Sequence, residues 1–320
     1  MKQTILLAAA ILCLASCKNN VIESETQCGP YTITPIAENV WHIQDCNDDN
    51  PAGETFDENG VKTHFNNCSD MYLLNGGKKA LLIDLSNNVT WAEDAAGALR
   101  SIVSERIGDA DLLIAFTHNH GDHTGMLPAF ENDPDVNFLF PSADFSAFAD
   151  KLPAGRSELF DEGREIDLGG MKVSTLAVPG HTAGSMVFFL EGQNILFSGD
   201  AVGSGHGVWI FDLDSYRSYV AGVQHLAAYI DDPANGIDAD ALKIYGGHWW
   251  QKDWFPELGD GTFGIRYIRD MQQLIADIAD GTAETEPSNL DFQLLDTYFR
   301  NGQAIIAWNA ALAEDFRAGK

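Results

Sequence analysis

The sequence predicts one layered α/β domain. Three observations carry that expectation. Short apolar runs of strand length recur along the chain, bounded by Gly, Asn and Asp. Longer stretches between them repeat apolar residues at helical spacing. Composition is that of a folded chain: of 320 residues, 45% are hydrophobic and 21% charged. That is enough apolar material to build a core rather than leave the chain disordered.

Taken in order, Tyr31–Ile36 and Asn39–Gln44 read as short strands, and Asp45–Asn67, rich in Asn, Asp and Gly, as an excursion loop. Met71–Leu74 and Ala80–Leu85 are apolar runs around Asn75-Gly76-Gly77, a hairpin signal. Thr90-Trp91-Ala92-Glu93 fits a capping box, with Thr90 as N-cap of a helix reaching about Arg106. The run Leu112–Phe116 within Asp111–Thr117 reads as a buried strand. Val136–Phe140, Lys172–Val178, Met186–Leu190, Ile195–Ser198 and Leu242–Tyr245 are further strands. Asp214 caps a helix to about Ile230, and Phe263, Tyr267, Met271, Leu274 and Ile278 mark another at helical spacing. Ser288–Arg300 reads as a late helix and Gln303–Trp308 as a final strand.

The N-terminus reads as a targeting segment. Met1–Lys2 is a short basic start, and Ile5–Leu14 is apolar but too short to span a bilayer of about 30 Å as a helix. Leu14-Ala15-Ser16-Cys17 resembles the lipobox of bacterial lipoproteins. That resemblance implies a signal peptide over 1–16, lipidation of Cys17, a tether over 17–30 and a folded domain over 31–320. The expectation is an exported lipoprotein, periplasmic or at the cell surface, held to the membrane through Cys17. Of the remaining cysteines, Cys28, Cys46 and Cys68, a Cys46–Cys68 disulfide would close the Asn/Asp/Gly-rich loop, although spacing alone fixes no pairing.

With 47 acidic against 19 basic residues, the net charge is −28. Binders of nucleic acid and of anionic membrane surfaces need basic faces, so both classes are disfavoured, and the expected partner is a small molecule. No GxSxG elbow and no P-loop is present, which leaves a serine hydrolase or an NTPase unsupported.

The chemistry concentrates in histidines. Thr117-His118-Asn119-His120-Gly121-Asp122-His123-Thr124-Gly125 follows directly on a buried strand and packs three His and one Asp into six residues, out of nine His in the chain. Imidazole nitrogen and carboxylate oxygen are the donors that suit zinc where no thiolate is offered. This segment resembles the metal signature of the metallo-β-lactamase superfamily. Val178-Pro179-Gly180-His181-Thr182, Phe197-Ser198-Gly199-Asp200 and Tyr245-Gly246-Gly247-His248 resemble its later motifs, in the family's order and each at a strand end. The resemblance covers roughly residues 31–260.

It implies a four-layer αββα sandwich and two divalent metal ions, zinc by expectation. His118, His120 and His181 would hold the first and Asp122, His123 and His248 the second, with Asp200 bridging. Asp122 would also act catalytically, orienting a metal-bound hydroxide. The implied activity is hydrolysis of a small ester, lactone, thioester or amide. Asp200 stands where the zinc β-lactamases of the superfamily commonly carry Cys or Ser, which disfavours antibiotic hydrolysis. A mononuclear iron enzyme like the persulfide dioxygenases and a non-catalytic surface binding protein are the remaining alternatives. His206, Trp209 and Trp249 are the candidate substrate residues, with Phe211, Trp250 and Trp254 as further aromatics beside the motifs. Tyr216 and Arg217 are weaker candidates, and His42, His64 and His225 read as structural.

Overall fold

The computed structural model describes residues 24–45, 67–203, 207–259, 261–288, 290 and 294–320, with the backbone of the short strands Glu54–Phe56 and Lys62–His64. The signal segment, Cys17, Cys46 and His206 lie outside the described residues, so the lipidation and disulfide expectations fall there.

Among the described residues two sheets dominate. The first has eight strands in the order Thr26–Cys28, Tyr31–Ala37, Val40–Asp45, Asp70–Asn75, Lys79–Ile83, Asp111–Ala115, Asn137–Pro141, Ser157–Phe160. The second has five, in the order Glu165–Asp167, Lys172–Ala177, Met186–Leu190, Ile195–Gly199, Lys243–Gly246. Both mix antiparallel hairpins with parallel crossovers. Lys79–Ile83 pairs in parallel with Asp111–Ala115, and the helix Ala95–Ile107 makes the connection. Ile195–Gly199 pairs in parallel with Lys243–Gly246 across the helix Leu213–Asp231.

The layering follows from strand periodicity, since successive side chains leave opposite faces. Leu81 and Ile83 point inward, where Tyr72, Leu74 and Ala115 meet Phe188, Leu190 and Phe197 of the second sheet. Leu82, one residue away from each, joins Met71, Leu73 and Ile114 on the outer face, under Leu99, Ile102 and Val103 of the helix Ala95–Ile107. On the far side, Val187, Phe189 and Leu196 pack against Tyr219, Val223, Tyr267 and Met271 from the helices Leu213–Asp231 and Ile265–Asp280. Helix, sheet, sheet, helix is the expected four-layer αββα sandwich. Strands covered on both faces read as continuous apolar runs, which is why Leu112–Phe116 and Met186–Leu190 stand out in the sequence. Among the described residues no helix is long and apolar enough to cross a membrane.

Several expectations are corrected. The described part of Ser288–Arg300 is not helical: residues 297–300 belong to the strand Thr297–Asn301, which pairs antiparallel with Ala304–Trp308 and with Glu284–Pro287. The connection at Gly302-Gln303 is a two-residue hairpin turn, with Gly302 at φ 55. A last helix, Ala310–Arg317, follows, capped by Asn309. Thr90 caps nothing; the first helix starts at Ala95 behind Asp94, which sits in the left-handed region and makes no side-chain cap bond. The cap of the helix Leu213–Asp231 is Asp212, accepting from Ser215 N at 2.7 Å, rather than Asp214. Residues 26–28, expected within a tether, form the edge strand that pairs with Tyr31–Ile33.

Candidate metal centre

The ligand motifs all lie just past the carboxyl ends of strands, where an open α/β sheet exposes backbone ends and side chains into one crevice. Asp111–Ala115 runs out into His118 and His120, and the single turn Gly121–Thr124 presents Asp122 and His123. Lys172–Ala177 leads to His181, Ile195–Gly199 to Asp200, and Lys243–Gly246 to His248.

These seven residues converge as two groups. His118, His120, His181 and Asp200 form one, and Asp122, His123 and His248 the other, each with donor atoms within 4.8 Å of one another. Asp200 lies between them. Its Oδ2 is 3.5 Å from His181 Nε2, 4.0 Å from His118 Nε2 and 3.4 Å from His248 Nε2, while Oδ1 is 3.4 Å from His123 Nε2. Asp122 Oδ2 is 3.4 Å from His248 Nε2 and 3.9 Å from His123 Nε2, and accepts from Asn67 Nδ2 at 3.4 Å. Room for this convergence depends on Gly247, where a Cβ would run into Asp200 Oδ1 and His123 Cε1.

The donor set fits a metal. His118 Nε2, His123 Nε2 and Asp200 Oδ1 are buried and make no well-formed hydrogen bond among the described residues, although the last two face each other at 3.4 Å. Leaving such atoms unsatisfied is costly, and a cation placed among them answers all three. Charge points the same way. Burial pushes His118 and His120 below the usual imidazole range and His181 down to about 4, so their lone pairs are free of protons at neutral pH. Burial opposes charge on His123 and His248 too, but the carboxylates of Asp200 and Asp122 outweigh it and raise both. Burial by itself would raise Asp122 and Asp200; the imidazoles of His123 and His248 pull both well below the usual carboxylate range. The pocket is therefore built to hold positive charge against two ionised acids.

The second ring nitrogen of four of these histidines is also held, which orients each ring toward the cluster, and His118 Nδ1 lies 2.9 Å from Thr117 Oγ1. His123 Nδ1 lies 2.9 Å from Asp84 Oδ2, His181 Nδ1 3.1 Å from Trp209 O, and His248 Nδ1 2.8 Å from Cys68 O. Sequence reading missed Asp84. It adopts φ 63 just after the strand Lys79–Ile83, which aims its carboxylate at Thr117 N and Thr117 Oγ1, both at 2.7 Å. It also missed Asp144, which accepts from Asn119 N at 3.1 Å, Thr182 Oγ1 at 2.7 Å and Gly184 N at 2.7 Å. That carboxylate ties the His118–His120 segment to the His181 turn. Asp70 plays the same part at the last motif: it accepts from Trp249 N, and its Oδ1 meets His42 Nε2 at 2.6 Å.

The aromatic candidates separate. The Trp249 ring packs on His42 and Tyr245 and its Nε1 donates to Thr262, so it serves the inter-sheet core rather than the ligand cluster. Trp250 Nε1 donates to Cys68 O, and Trp254 is exposed beside it. Trp209 and Phe211 stand at the cluster, with the Phe211 ring 6.5 Å from His120 and 6.3 Å from His181. Tyr216 is fully buried on Trp308, and Arg217 pairs with Asp214 at the surface beside the turn that carries His181; neither is among the seven converging donors. His42 is buried against Asp70 and His225 pairs with Glu162 at the surface.

Comparison with known proteins agrees with this geometry. The family model described as "Metallo-beta-lactamase superfamily" matches residues 69–248. A lactamase-like protein of Emericella nidulans is 30% identical over 177 residues, 54% of this chain and 53% of that protein. An atrochrysone carboxyl ACP thioesterase of Aspergillus chevalieri is 29% identical over 172 residues, 53% of this chain and 51% of that protein. The chain thus spans about half the length of these curated relatives. Among solved structures, a metallo-beta-lactamase from Pontibacter korlensis superposes with a TM-score of 0.54 at 16% identity, covering 77% of this chain and 99% of that one. At that identity the likeness is one of fold.

Proposed function

The chain belongs to the metallo-β-lactamase superfamily, and from that premise we propose that it is a dinuclear metal-dependent hydrolase of small carbonyl substrates. The single observation that carries the reading is the convergence of seven metal-type donors in two groups around one shared carboxylate. His118, His120 and His181 would hold one divalent cation and Asp122, His123 and His248 the other, with Asp200 touching both. When bound, such a pair supplies an acidified water, with pKa near 7 for zinc, and positive charge for a developing oxyanion.

The chain's own residues do the rest. Burial keeps His118, His120 and His181 neutral and available as donors. Asp84, Asp144 and Asp70 fix the turns that carry the ligands, so little reorganisation is left for the reaction itself. Asp122 is the more open of the two central carboxylates, at 21% side-chain exposure against 12% for Asp200. As a carboxylate held ionised by His123 and His248, it would accept a hydrogen bond from the attacking water and orient it. An ester, lactone, thioester or amide suits this arrangement, and relatives named as thioesterases support the acyl reading.

The test is a substrate panel of esters, lactones, thioesters, β-lactams and phosphodiesters on zinc-loaded protein. Turnover of one acyl class, abolished by chelation and restored by metal, is expected. Silence across the panel at full metal loading would sink the proposal.

We also propose export as a lipoprotein, on the strength of Leu14-Ala15-Ser16-Cys17. In a bacterial host, radiolabelled palmitate should enter the protein and disappear from Cys17→Ser. Equal labelling of both would refute it.

A further inference from the structure

One part of the site wall is backed by chain beyond the family match, which ends at His248. Val208–Trp209, Ala304–Trp308, Thr297–Asn301 and Glu284–Pro287 form a four-stranded sheet in that order. Val208 and Trp209 pair in parallel with Ile306 and Ala307, and Ile210 N donates to Ala307 O at 3.0 Å. Gly207, at φ 85, lies so close that a Cβ would stand 2.8 Å from Ile305 Cγ2. Residues 207–210 are therefore held by the C-terminal sheet.

That attachment reaches the ligands. Trp209 O receives His181 Nδ1, and Phe211 sets its ring beside His120 and His181. Behind them Trp209 and Phe211 pack on Leu295, Tyr298 and Ile305. Of the seven cluster residues, His120, Asp122 and Asp200 keep some exposure while the other four are buried. Phe211, itself half-buried, thus stands beside the open side of the cluster. A supported aromatic face next to the reacting centre offers apolar contact and no charge partner.

We propose that Phe211, backed by Trp209 and the C-terminal sheet, determines specificity by taking the apolar chain of an acyl substrate. This rests on the hydrolase reading and adds a substrate feature to it. Each methylene fully removed from water is worth about fourfold in affinity, so partial burial of a medium-length chain should be easy to detect.

The test uses the carboxylate products, whose binding does not require turnover. Calorimetry on metal-loaded protein would compare octanoate with acetate. Octanoate should bind at least about tenfold tighter to the unaltered protein. That ratio should fall to within about twofold in Phe211→Ala and to an intermediate value in Phe211→Leu, with metal content reporting an intact centre. Octanoate binding no tighter than acetate, or a ratio unchanged in either variant, overturns the inference. Phe211-dependent octanoate binding in a protein that hydrolyses no acyl ester or thioester would instead remove the hydrolase reading and leave the binding role standing.

Discussion

Replacing Asp200 by Asn lowers turnover on the order of 10³-fold or more and reduces metal content to one ion per chain or fewer. Asp200 is the carboxylate whose two oxygens face both donor groups, with His181 and His248 on Oδ2 and His123 on Oδ1. The amide keeps the shape but loses the charge, and turns one acceptor into a donor aimed at imidazoles. Metal-based stabilisation of a transition state is worth several kcal/mol, and each 1.36 kcal/mol is about tenfold in rate. Elemental analysis beside kinetics checks this. A variant with the metal content and rate of the unaltered protein would mean that Asp200 bridges nothing.

The second large effect is on stability. Asp84→Ala should lower the unfolding free energy of the metal-free protein by about 3–5 kcal/mol, the usual cost of removing one partner from a buried charged network. The carboxylate is 2% exposed and satisfies Thr117 N, Thr117 Oγ1 and His123 Nδ1 together. Its removal strands a buried donor in each of two elements, and the loss is a large share of an ordinary domain's 5–15 kcal/mol or so. Metal affinity should fall as well, by about 10–100-fold, because His123 loses its orienting partner. Denaturant melts in chelator separate the two effects. A midpoint unchanged from the unaltered protein would contradict the proposed clamp.

The contrast between Asp200 and Asp84 shows what the sequence could reveal. All seven central donors were legible because each sits in a short motif at the end of an apolar run, where histidine density and glycine spacing are conspicuous. Asp84, Asp144 and Asp70 were not. Each is a single acid among 47, and its importance arises from partners 25 to 179 positions away. The layers were legible for a related reason: strands buried on both faces leave unbroken apolar runs. The C-terminal hairpin was misread because Leu290, Leu294 and Tyr298 recur at helical spacing, whereas Asn301-Gly302 was the turn signal that decided the pairing. Local period lost to tertiary pairing there, and the lost strand is one that braces the wall at Phe211.

The charge of −28 also resolves into parts. Asp45, Asp70, Asp84 and Asp144 are buried, and Asp122 and Asp200 are half-buried at the centre. The first four carboxylates are engaged in hydrogen bonds that fix turns, the last two face the histidines, and the exposed acids among the described residues leave that surface anionic.

Metal stoichiometry tests the central claim most directly. Protein loaded with zinc, freed of excess metal by gel filtration and assayed by elemental analysis should hold two ions per chain. Fewer than one ion per chain, or a single iron accompanied by oxygen consumption, would contradict the dinuclear hydrolase.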